Sequence, residues 1–389
     1  MKNHVKIGII GVGNIGSAHA ATIYGGKIEN MRLTALCDID DSRRDILKTL
    51  YPDIPMFKSA EELIESGLCD AVLIATPHYA HPPIAEKAFS GELHVLSEKP
   101  AGVTCKAVRK MINAAEKSGK LFSVMFNQRT NKLFGTAKEI VSSGALGEMK
   151  RANWIITNWY RKECYYRSNS WRATWSSEGG GVLINQAPHN LDLLTWICGM
   201  PESIFAKCDE GKYHNITVED DATILARYKN GATAAFITST GEYPGTNRFE
   251  ISGTKGKIVI ENGVLTHTNL EIDESYFRKT EESAKNKLST VQIADERYDG
   301  HINILGNFAR AILFGEKLVS PGQEAINELA LSNAAYLSSW TGREISLPLD
   351  DELFEEILFT KAKAENTTAR KDERENLQFG YKERWNTKW

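Results

Sequence analysis

The chain has 389 residues, of which 42% are hydrophobic and 25% are charged, and its formal net charge is −3. A chain of this length usually divides into more than one domain, and a composition close to the globular average excludes disordered chains and fibrous proteins. The 47 basic and 50 acidic side chains provide no broad positive field, so we expect neither a nucleic acid nor a membrane as partner, but a small molecule.

The location and the redox state of the chain follow from what the sequence lacks. Apolar runs such as Ala71–Ala75 are far shorter than the ~20 residues that cross a bilayer, and the first residues lack the pattern of a secretory signal. The six cysteines are widely scattered, without the spacing of a zinc site. We therefore expect a cytoplasmic protein with reduced cysteines and no bound metal.

The first 126 residues alternate short β-type runs with amphipathic helical stretches, which is typical of βαβ units and a parallel sheet. Helix starts are indicated by Ser59 with Glu62 at capping-box spacing, by Pro82, and by Thr104. The predicted strands are Val5–Ile10, Leu33–Cys37, Ala71–Ala75, His94–Ser97 and Leu121–Phe126.

A glycine-rich segment, Gly11–Gly16, follows the first predicted strand and opens a helical pattern. In that context backbone N–H groups can hold a pyrophosphate, and Gly16 allows close packing of helix and strand. Asp38 ends the next strand, where a carboxylate accepts hydrogen bonds from an adenosine ribose and repels a 2′-phosphate. We therefore predict NAD rather than NADP, although Arg43 and Arg44 could weaken the discrimination. The predicted cofactor-binding residues here are Gly11, Gly13, Asn14, Ile15, Gly16 and Asp38.

The remainder of the chain, residues 127–389, is predicted to form a second α/β domain for substrate binding and oligomerisation. Its central part reads as antiparallel strands separated by turns such as Asn230-Gly231, and helical patterns return near the end. The fold class is therefore α/β, with a dinucleotide-binding domain over residues 1–126 and a large open, mainly antiparallel sheet in the second domain. The predicted strands are Ala222–Tyr228, Thr233–Thr238 and Lys257–Ile260, and the late helices are Ile302–Phe314 and Gly322–Trp340.

The last residues, 361–389, combine mixed charge with four aromatic side chains. Two interpretations stay open: a frayed terminus, and a segment that docks on a neighbouring domain or subunit. The aromatic residues are Phe379, Tyr381, Trp385 and Trp389.

Two segments carry residues suited to catalysis. Glu98-Lys99-Pro100 follows the fourth predicted strand, and ligands of open α/β sheets bind at the carboxyl ends of strands, which would place Lys99 near a nicotinamide. Asn185, His189 and Asp192 have the spacing of one helix face, within an apolar segment. Such a polar stripe is either a solvated surface or a buried cluster with a function, and the apolar neighbours favour the second.

Taken together, these motifs resemble the Gfo/Idh/MocA family of NAD(P)-dependent oxidoreductases over nearly the whole chain. The motifs that carry the resemblance are Gly11–Gly16, Asp38, Thr76-Pro77-His78 with His81, Glu98-Lys99-Pro100, Gly179–Asp192, Gly253-Thr254-Lys255-Gly256 and Asn307-Phe308. The resemblance implies a Rossmann domain, a second domain whose open sheet makes the dimer contact, and a homodimer or homotetramer. It also implies a cis Lys99–Pro100 peptide and cofactor contacts from Thr76, Pro77, His78, His81, Glu98, Lys99 and Asn127.

The resemblance implies catalytic roles for Lys99 and His189. An imidazole can accept the proton of a secondary alcohol near neutral pH while a hydride leaves for the nicotinamide, and the Lys99 ammonium can stabilise the developing alkoxide. The family has an acidic residue where this chain has Asn185, which cannot supply charge to His189. Lys99 with a lowered pKa is therefore a competing candidate for the base.

Substrate binding is predicted for Asn185, Asp192, Arg172, Trp171 and Tyr160. Carboxylate, amide and guanidinium groups suit hydroxyls, and flat aromatic faces suit the C–H surface of a sugar ring. The alternatives are a structural ion pair for Asp192 or Arg172, and core packing for the aromatic side chains.

Four functions follow from the resemblance. Tyr165-Tyr166-Arg167 and Trp171-Arg172 are similar to branches that oxidise pyranosides or anhydrosugars, so an NAD-dependent dehydrogenase for such a ring is the leading hypothesis. An inositol dehydrogenase comes next, followed by a glycosidase that retains NAD. The fourth is a non-catalytic regulator that binds a dinucleotide, which the presence of both Lys99 and His189 disfavours.

Overall fold

The computed structural model describes residues 3–168, 171–281, 283–296 and 298–365. The described chain forms two compact units, the first from Met1–Asn127 and Asp299–Leu329, the second from Gln128–Tyr298 and residues 330–365. The open question about the terminal segment concerns residues 366–389, which lie outside the described residues. None of the described helices has the length and apolar character that crossing a membrane requires.

The first unit contains a six-stranded sheet in the order β3-β2-β1-β4-β5-β6, in which every pair of neighbours is parallel. This confirms the predicted parallel sheet, with β3 added as a two-residue strand that is too short to show a pattern. The strands are β1 (Val5–Ile10), β2 (Met31–Cys37), β3 (Met56–Phe57), β4 (Ala71–Ile74), β5 (His94–Ser97) and β6 (Phe122–Val124).

The helices that connect these strands begin where the sequence signals lie. Asp40, Ser59 and Thr104 cap helices with their side-chain oxygens, and Pro82 and Pro83 lie in the first turn of α4 (His81–Ser90), where a missing N–H costs nothing. The other connecting helices are α1 (Asn14–Tyr24), α2 (Asp41–Leu50), α3 (Ala60–Glu65) and α5 (Cys105–Ser118).

The second unit contains a nine-stranded sheet in the order β14-β13-β12-β11-β7-β10-β9-β8-β15. All neighbours are antiparallel except β7 and β10, which confirms a mainly antiparallel sheet. The strands are β7 (Met149–Ile156), β8 (Ser203–Glu210), β9 (Glu219–Arg227), β10 (Thr233–Ser239), β11 (Asn247–Gly253), β12 (Gly256–Glu261), β13 (Val264–Leu270), β14 (Leu288–Ala294) and β15 (Ile345–Ser346).

Aromatic side chains form much of the core on this sheet. Trp154 on β7 stacks on Phe249 of β11 with ring centroids 4.2 Å apart, and it is fully buried together with Trp159 and Trp175. Packing therefore explains three of the four tryptophans between residues 154 and 175. The helices are α6 (Lys132–Ser142), α7 (Glu163–Arg167), α8 (Val182–Asn185), α9 (Pro188–Cys198), α10 (Glu274–Phe277), α12 (Ala325–Thr341), which begins in the first unit, and α13 (Asp351–Glu365).

The chain returns to the first unit for helix α11 (Gly300–Phe314), although residues 127–389 were assigned to the second domain. Ile304, Leu305 and Phe308 are buried in one cluster with the apolar side chains of β1, such as Val5 and Ile7. An amphipathic pattern shows that a helix has an apolar face but not which sheet that face covers, so the sequence placed α11 in the wrong domain.

Candidate active site

The glycine loop of the first unit has the geometry of a dinucleotide-binding turn. Gly11 has a φ of +87°, and a Cβ there would lie 2.8 Å from backbone atoms of Ala75 and Thr76. A Cβ on Gly16 would meet the carbonyl oxygen of Gly11, whereas one on Gly13 would meet no described atom within 4 Å. The described chain also supplies no side-chain cap for α1. Uncapped N–H groups beside open space fit a pyrophosphate.

Asp38 lies beside this loop, directly after β2. Its Oδ2 accepts a hydrogen bond from the backbone N–H of Val12 at 2.8 Å, and its Oδ1 accepts one from Asp40 at 3.0 Å. Arg44 donates to the carbonyl oxygen of Asp38 at 2.6 Å and forms an ion pair with Asp41. The carboxylate is therefore fixed next to the glycine loop, as an NAD ribose requires, and Arg44 is engaged by the protein itself.

The turn after β4 is tied to the turn after β5 by His81. One ring nitrogen of His81 lies 2.7 Å from the carbonyl oxygen of Thr76 and the other 2.8 Å from that of Pro100. Burial lowers the pKa of His81 despite these two hydrogen-bond partners. Both nitrogens are thus occupied, which corrects the prediction that His81 contacts the cofactor through them. No described residue bonds the buried hydroxyl of Thr76, so that group remains suited to a ligand.

Glu98 anchors the turn that carries Lys99. Its Oε1 lies 2.8 Å from Nε2 of His19, its Oε2 accepts the backbone N–H of Lys99 at 3.1 Å, and the predicted cis Lys99–Pro100 peptide is confirmed. Burial alone would raise the pKa of Glu98, but the hydrogen bond and charge of His19, with the charges of His301 and Lys99, lower it to about 2. An ionised carboxylate therefore fixes the backbone at Lys99.

His301 completes this buried group and gives it a pH dependence. Burial, and next the charge of His19, lower the pKa of His301 to about 4. The unfolded histidine titrates near 6.5, so the stability that the neutral ring gives is complete above pH 6.5 and is lost as the pH falls through 4.

We expect wild type to lose about 2 kcal/mol more unfolding free energy than His301→Gln between pH 7 and pH 4, a value kept below the full shift because the ring is partly exposed. Urea unfolding of both proteins at the two pH values measures this difference. Parallel pH curves would contradict it, because the variant lacks the titrating ring.

In the second unit, the predicted polar stripe is divided between two helices. Asn185 is the last residue of α8, whereas His189 and Asp192 lie on α9, which starts at Pro188. Proline has no N–H to continue the hydrogen bonds of the preceding helix, so the chain starts a new one. The spacing argument therefore holds for His189 and Asp192 only.

Asp192 forms a buried ion pair with Arg129. Its two oxygens accept hydrogen bonds from Nε at 2.9 Å and Nη2 at 2.6 Å, and the side chains are 1% and 2% exposed. This is the structural ion pair that the sequence left open as an alternative, and the substrate contact of Asp192 stays a prediction. His189 is buried three residues earlier on the same helix, so the two side chains share a face.

A second buried carboxylate, Glu178, lies at the centre of the other predicted substrate residues. It accepts hydrogen bonds from the side chain of Asn185 and from the backbone of Ala173, and its Oε1 lies 3.8 Å from Nη1 of Arg172. Arg172 in turn donates to the hydroxyl of Tyr165 at 2.7 Å. Asn185 and Arg172, which are predicted to bind substrate, are therefore linked by a residue that the sequence did not single out.

The two predicted aromatic contacts differ in their surroundings. Trp171 is partly exposed and stacks with the guanidinium of Arg172, whose Cζ lies 4.8 Å from its ring centre. Tyr160 is exposed, and its ring centre lies 5.3 Å from that of Tyr243, which is more exposed still. Both rings have accessible faces, in contrast to the buried tryptophans.

Sequence reasoning missed His19, His301, Arg129 and Glu178. Two weak signals were available: His19 lies three residues after Gly16, on the first turn of the glycine-loop helix, and Glu178 directly precedes Gly179-Gly180-Gly181. Neither position indicates a partner, because the groups that each side chain contacts are brought near only by the fold.

Comparison with known proteins adds the following. Residues 5–126 match the family model for the oxidoreductase family with an NAD-binding Rossmann fold, and residues 134–259 match the model for the GFO/IDH/MocA C-terminal domain. The myo-inositol 2-dehydrogenase of Thermotoga maritima is 26% identical, over 88% of this chain and 98% of the relative. The scyllo-inositol 2-dehydrogenase (NADP(+)) IolW of Bacillus subtilis is also 26% identical, over 88% of this chain and 96% of the relative.

Two solved structures illustrate the similarity of fold. The WlbA dehydrogenase of Bordetella pertussis, in complex with NADH and UDP-GlcNAcA, has a TM-score of 0.75 and 25% identity, covering 89% of this chain and all of that one. A levoglucosan dehydrogenase in complex with NADH and levoglucosan has a TM-score of 0.75 at 20% identity and covers 89% of this chain and all of that one, so it supports the fold alone.

Proposed function

The chain belongs to the Gfo/Idh/MocA family of oxidoreductases, and on that premise we propose that it oxidises a secondary alcohol of a cyclic sugar or polyol with NAD. It is an NAD-dependent dehydrogenase of the class that acts on CH–OH groups. Inositols, pyranosides and anhydrosugars share a ring that carries secondary hydroxyls, and this shared chemistry defines the proposed substrate.

The observation that carries the proposal is the position of Lys99 in the first unit. Lys99 follows β5, which is separated from β1 and its glycine loop by β4 alone, and the carboxyl ends of these parallel strands meet at one edge of the sheet. Ligands of open α/β sheets bind at that edge. A partly exposed ammonium is thus held where a dinucleotide places its reactive end.

NAD, when bound, accepts the hydride that leaves the carbinol carbon. The glycine loop and Asp38 are suited to hold its pyrophosphate and adenosine ribose, as the uncapped helix and the open space over Gly13 indicate. We further propose that Lys99 donates hydrogen bonds to the substrate oxygen and stabilises the negative charge that develops on it. Glu98 keeps the Lys99 backbone in place, because its carboxylate accepts the Lys99 N–H.

His189 is proposed to accept the hydroxyl proton of the substrate. It lies on α9, and the ion pair of Arg129 with Asp192 on the same helix face neutralises both buried charges. A neutral imidazole has the lone pair that proton removal requires. Arg172, Trp171 and Tyr160 are proposed to bind the sugar ring, as partly or fully exposed side chains of the same unit.

We expect His189→Ala to lower kcat about a hundredfold or more on the true substrate, because general base catalysis contributes that much. Stopped-flow measurement of NADH formation gives kcat, and retention of NADH binding shows that the variant is folded. Turnover close to wild type would remove His189 from the role of base and favour Lys99.

The proposed function is tested by incubating the protein with NAD and a panel of myo-inositol, scyllo-inositol, levoglucosan and methyl pyranosides. NADH absorbance reports oxidation, and released methanol reports cleavage of the glycosides. NADH formation with at least one ring supports the proposal. Cleavage without accumulation of NADH would favour the glycosidase that retains NAD, and the absence of both would contradict catalysis on these rings.

We also propose that the protein forms a homodimer or homotetramer. Phe205 on β8 and Leu225 on β9 are paired across the sheet of the second unit and are both exposed, which leaves an apolar area on that face. Light scattering in solution determines the number of subunits, and a monomer at micromolar concentration would contradict the proposal.

A further inference from the structure

Glu178 is a buried carboxylate that the proposed mechanism does not use. The residue is 2% exposed, and it lies at the start of the glycine segment that leads into α8. Its two oxygens receive hydrogen bonds from different parts of the chain: Oε1 from the side-chain amide of Asn185 and Oε2 from the backbone N–H of Ala173. A carboxylate at this depth is stable only when it has such partners.

The charge of Glu178 is compensated nearby. Nη1 of Arg172 lies 3.8 Å from Oε1 of Glu178, and the same nitrogen donates to the hydroxyl of Tyr165 at 2.7 Å. Gln186, the residue after Asn185, donates to that hydroxyl at 3.1 Å. The carboxylate, the guanidinium and the two amides therefore form one network within the second unit.

The network determines how the amide of Asn185 is oriented. An ionised carboxylate can only accept hydrogen bonds, so Asn185 has to turn its NH2 group towards Glu178. The carbonyl oxygen Oδ1 then lies on the other side of the amide. Without Glu178 the two ends of the amide would be close to equivalent, because both are polar and similar in size.

We propose that Glu178 is a positioning residue, which fixes Asn185 so that its Oδ1 is presented as a hydrogen-bond acceptor to a hydroxyl of the substrate ring. This inference rests on the proposed function, because it assigns a part of the substrate contact. It adds a specificity: the hydroxyl at this position has to donate a hydrogen bond, so an O-methylated or deoxygenated ring binds more weakly.

A purely structural role is the competing explanation. Ala173 has a φ of +51°, in a region that side-chain-bearing residues rarely adopt, and the Glu178 carboxylate stabilises this turn through the Ala173 N–H. Such a role predicts a less stable protein without any selective effect on the substrate. The two explanations therefore differ in the ratio of KM values for the substrate ring and for NAD.

The experiment exchanges the two side chains. Glu178→Gln removes the charge and allows either orientation of Asn185, so we expect KM for the ring to rise about tenfold while KM for NAD is unchanged. The exchange variant Glu178→Gln/Asn185→Asp keeps one amide bonded to one carboxylate and again presents an acceptor oxygen at position 185. It should return KM to within about threefold of wild type. Glu242→Gln, at an exposed position of the same unit, serves as the matched control.

The outcomes separate this inference from the proposed function. An unchanged KM in Glu178→Gln, or an exchange variant no better than Glu178→Gln, overturns the positioning role. If wild type oxidises no ring of the panel, the proposed function fails, and thermal unfolding of the same variants still tests the pair. Asn185→Asp alone then places two carboxylates together and should unfold at a lower temperature than the exchange variant, whereas additive effects would overturn the pairing.

Discussion

Lys99→Met is expected to lower kcat/KM about 10³-fold, since it removes the cation that stabilises the developing alkoxide while keeping a long apolar stem. Steady-state NADH formation over a range of substrate concentrations measures the effect. Lys110→Met, on the exposed side of α5, is the matched control and should retain wild-type activity.

The Lys99 variant should still bind the cofactor. The glycine loop, Asp38 and the Glu98–His19 hydrogen bond do not depend on the ammonium group, so NADH affinity, measured by fluorescence titration, should change less than about threefold. A loss of NADH binding in parallel with activity would show that Lys99 serves the cofactor rather than the reaction. A loss below about tenfold in kcat/KM would contradict the catalytic role.

Arg129→Met is expected to lower the unfolding free energy by about 3–5 kcal/mol, because it leaves the carboxylate of Asp192 buried without its partner. Urea unfolding followed by fluorescence measures this change. Lys132→Met, which breaks the exposed ion pair with Glu296, is the control and should cost no more than about 1 kcal/mol.

The double variant Arg129→Met/Asp192→Leu distinguishes structure from function at this position. Replacing a buried ion pair by apolar side chains often restores stability, so the double variant should recover most of the loss. If Asp192 also binds substrate, the double variant is stable and inactive. Stability together with wild-type turnover would remove Asp192 from the substrate residues.

The sequence predicts those parts of the fold that depend on neighbouring residues. Capping oxygens such as those of Ser59 and Thr104, and the glycines required by a strand-to-helix turn, act over three to five positions, so their effect is visible in the chain. The strand ends of the first unit were predicted within one or two residues for the same reason.

The missed features depend on contacts between distant segments. The partner of Asp192 is Arg129, 63 positions earlier, and the imidazole that holds Glu98 is His19, 79 positions earlier. The break between α8 and α9 was within reach, since Pro188 lies inside the pattern that was taken as one helix. Glu178 was overlooked because a lone acidic residue before three glycines looks like a solvated turn.

The return of α11 to the first unit has a consequence for how the protein is made. The ribosome releases β1 among the first residues, yet the helix that covers part of its apolar surface leaves the exit tunnel about 300 residues later. At a typical synthesis rate of about 5–20 residues per second, this nascent surface waits for tens of seconds, open to chaperones and to aggregation. A truncated gene product that ends at residue 126 would lack this cover permanently.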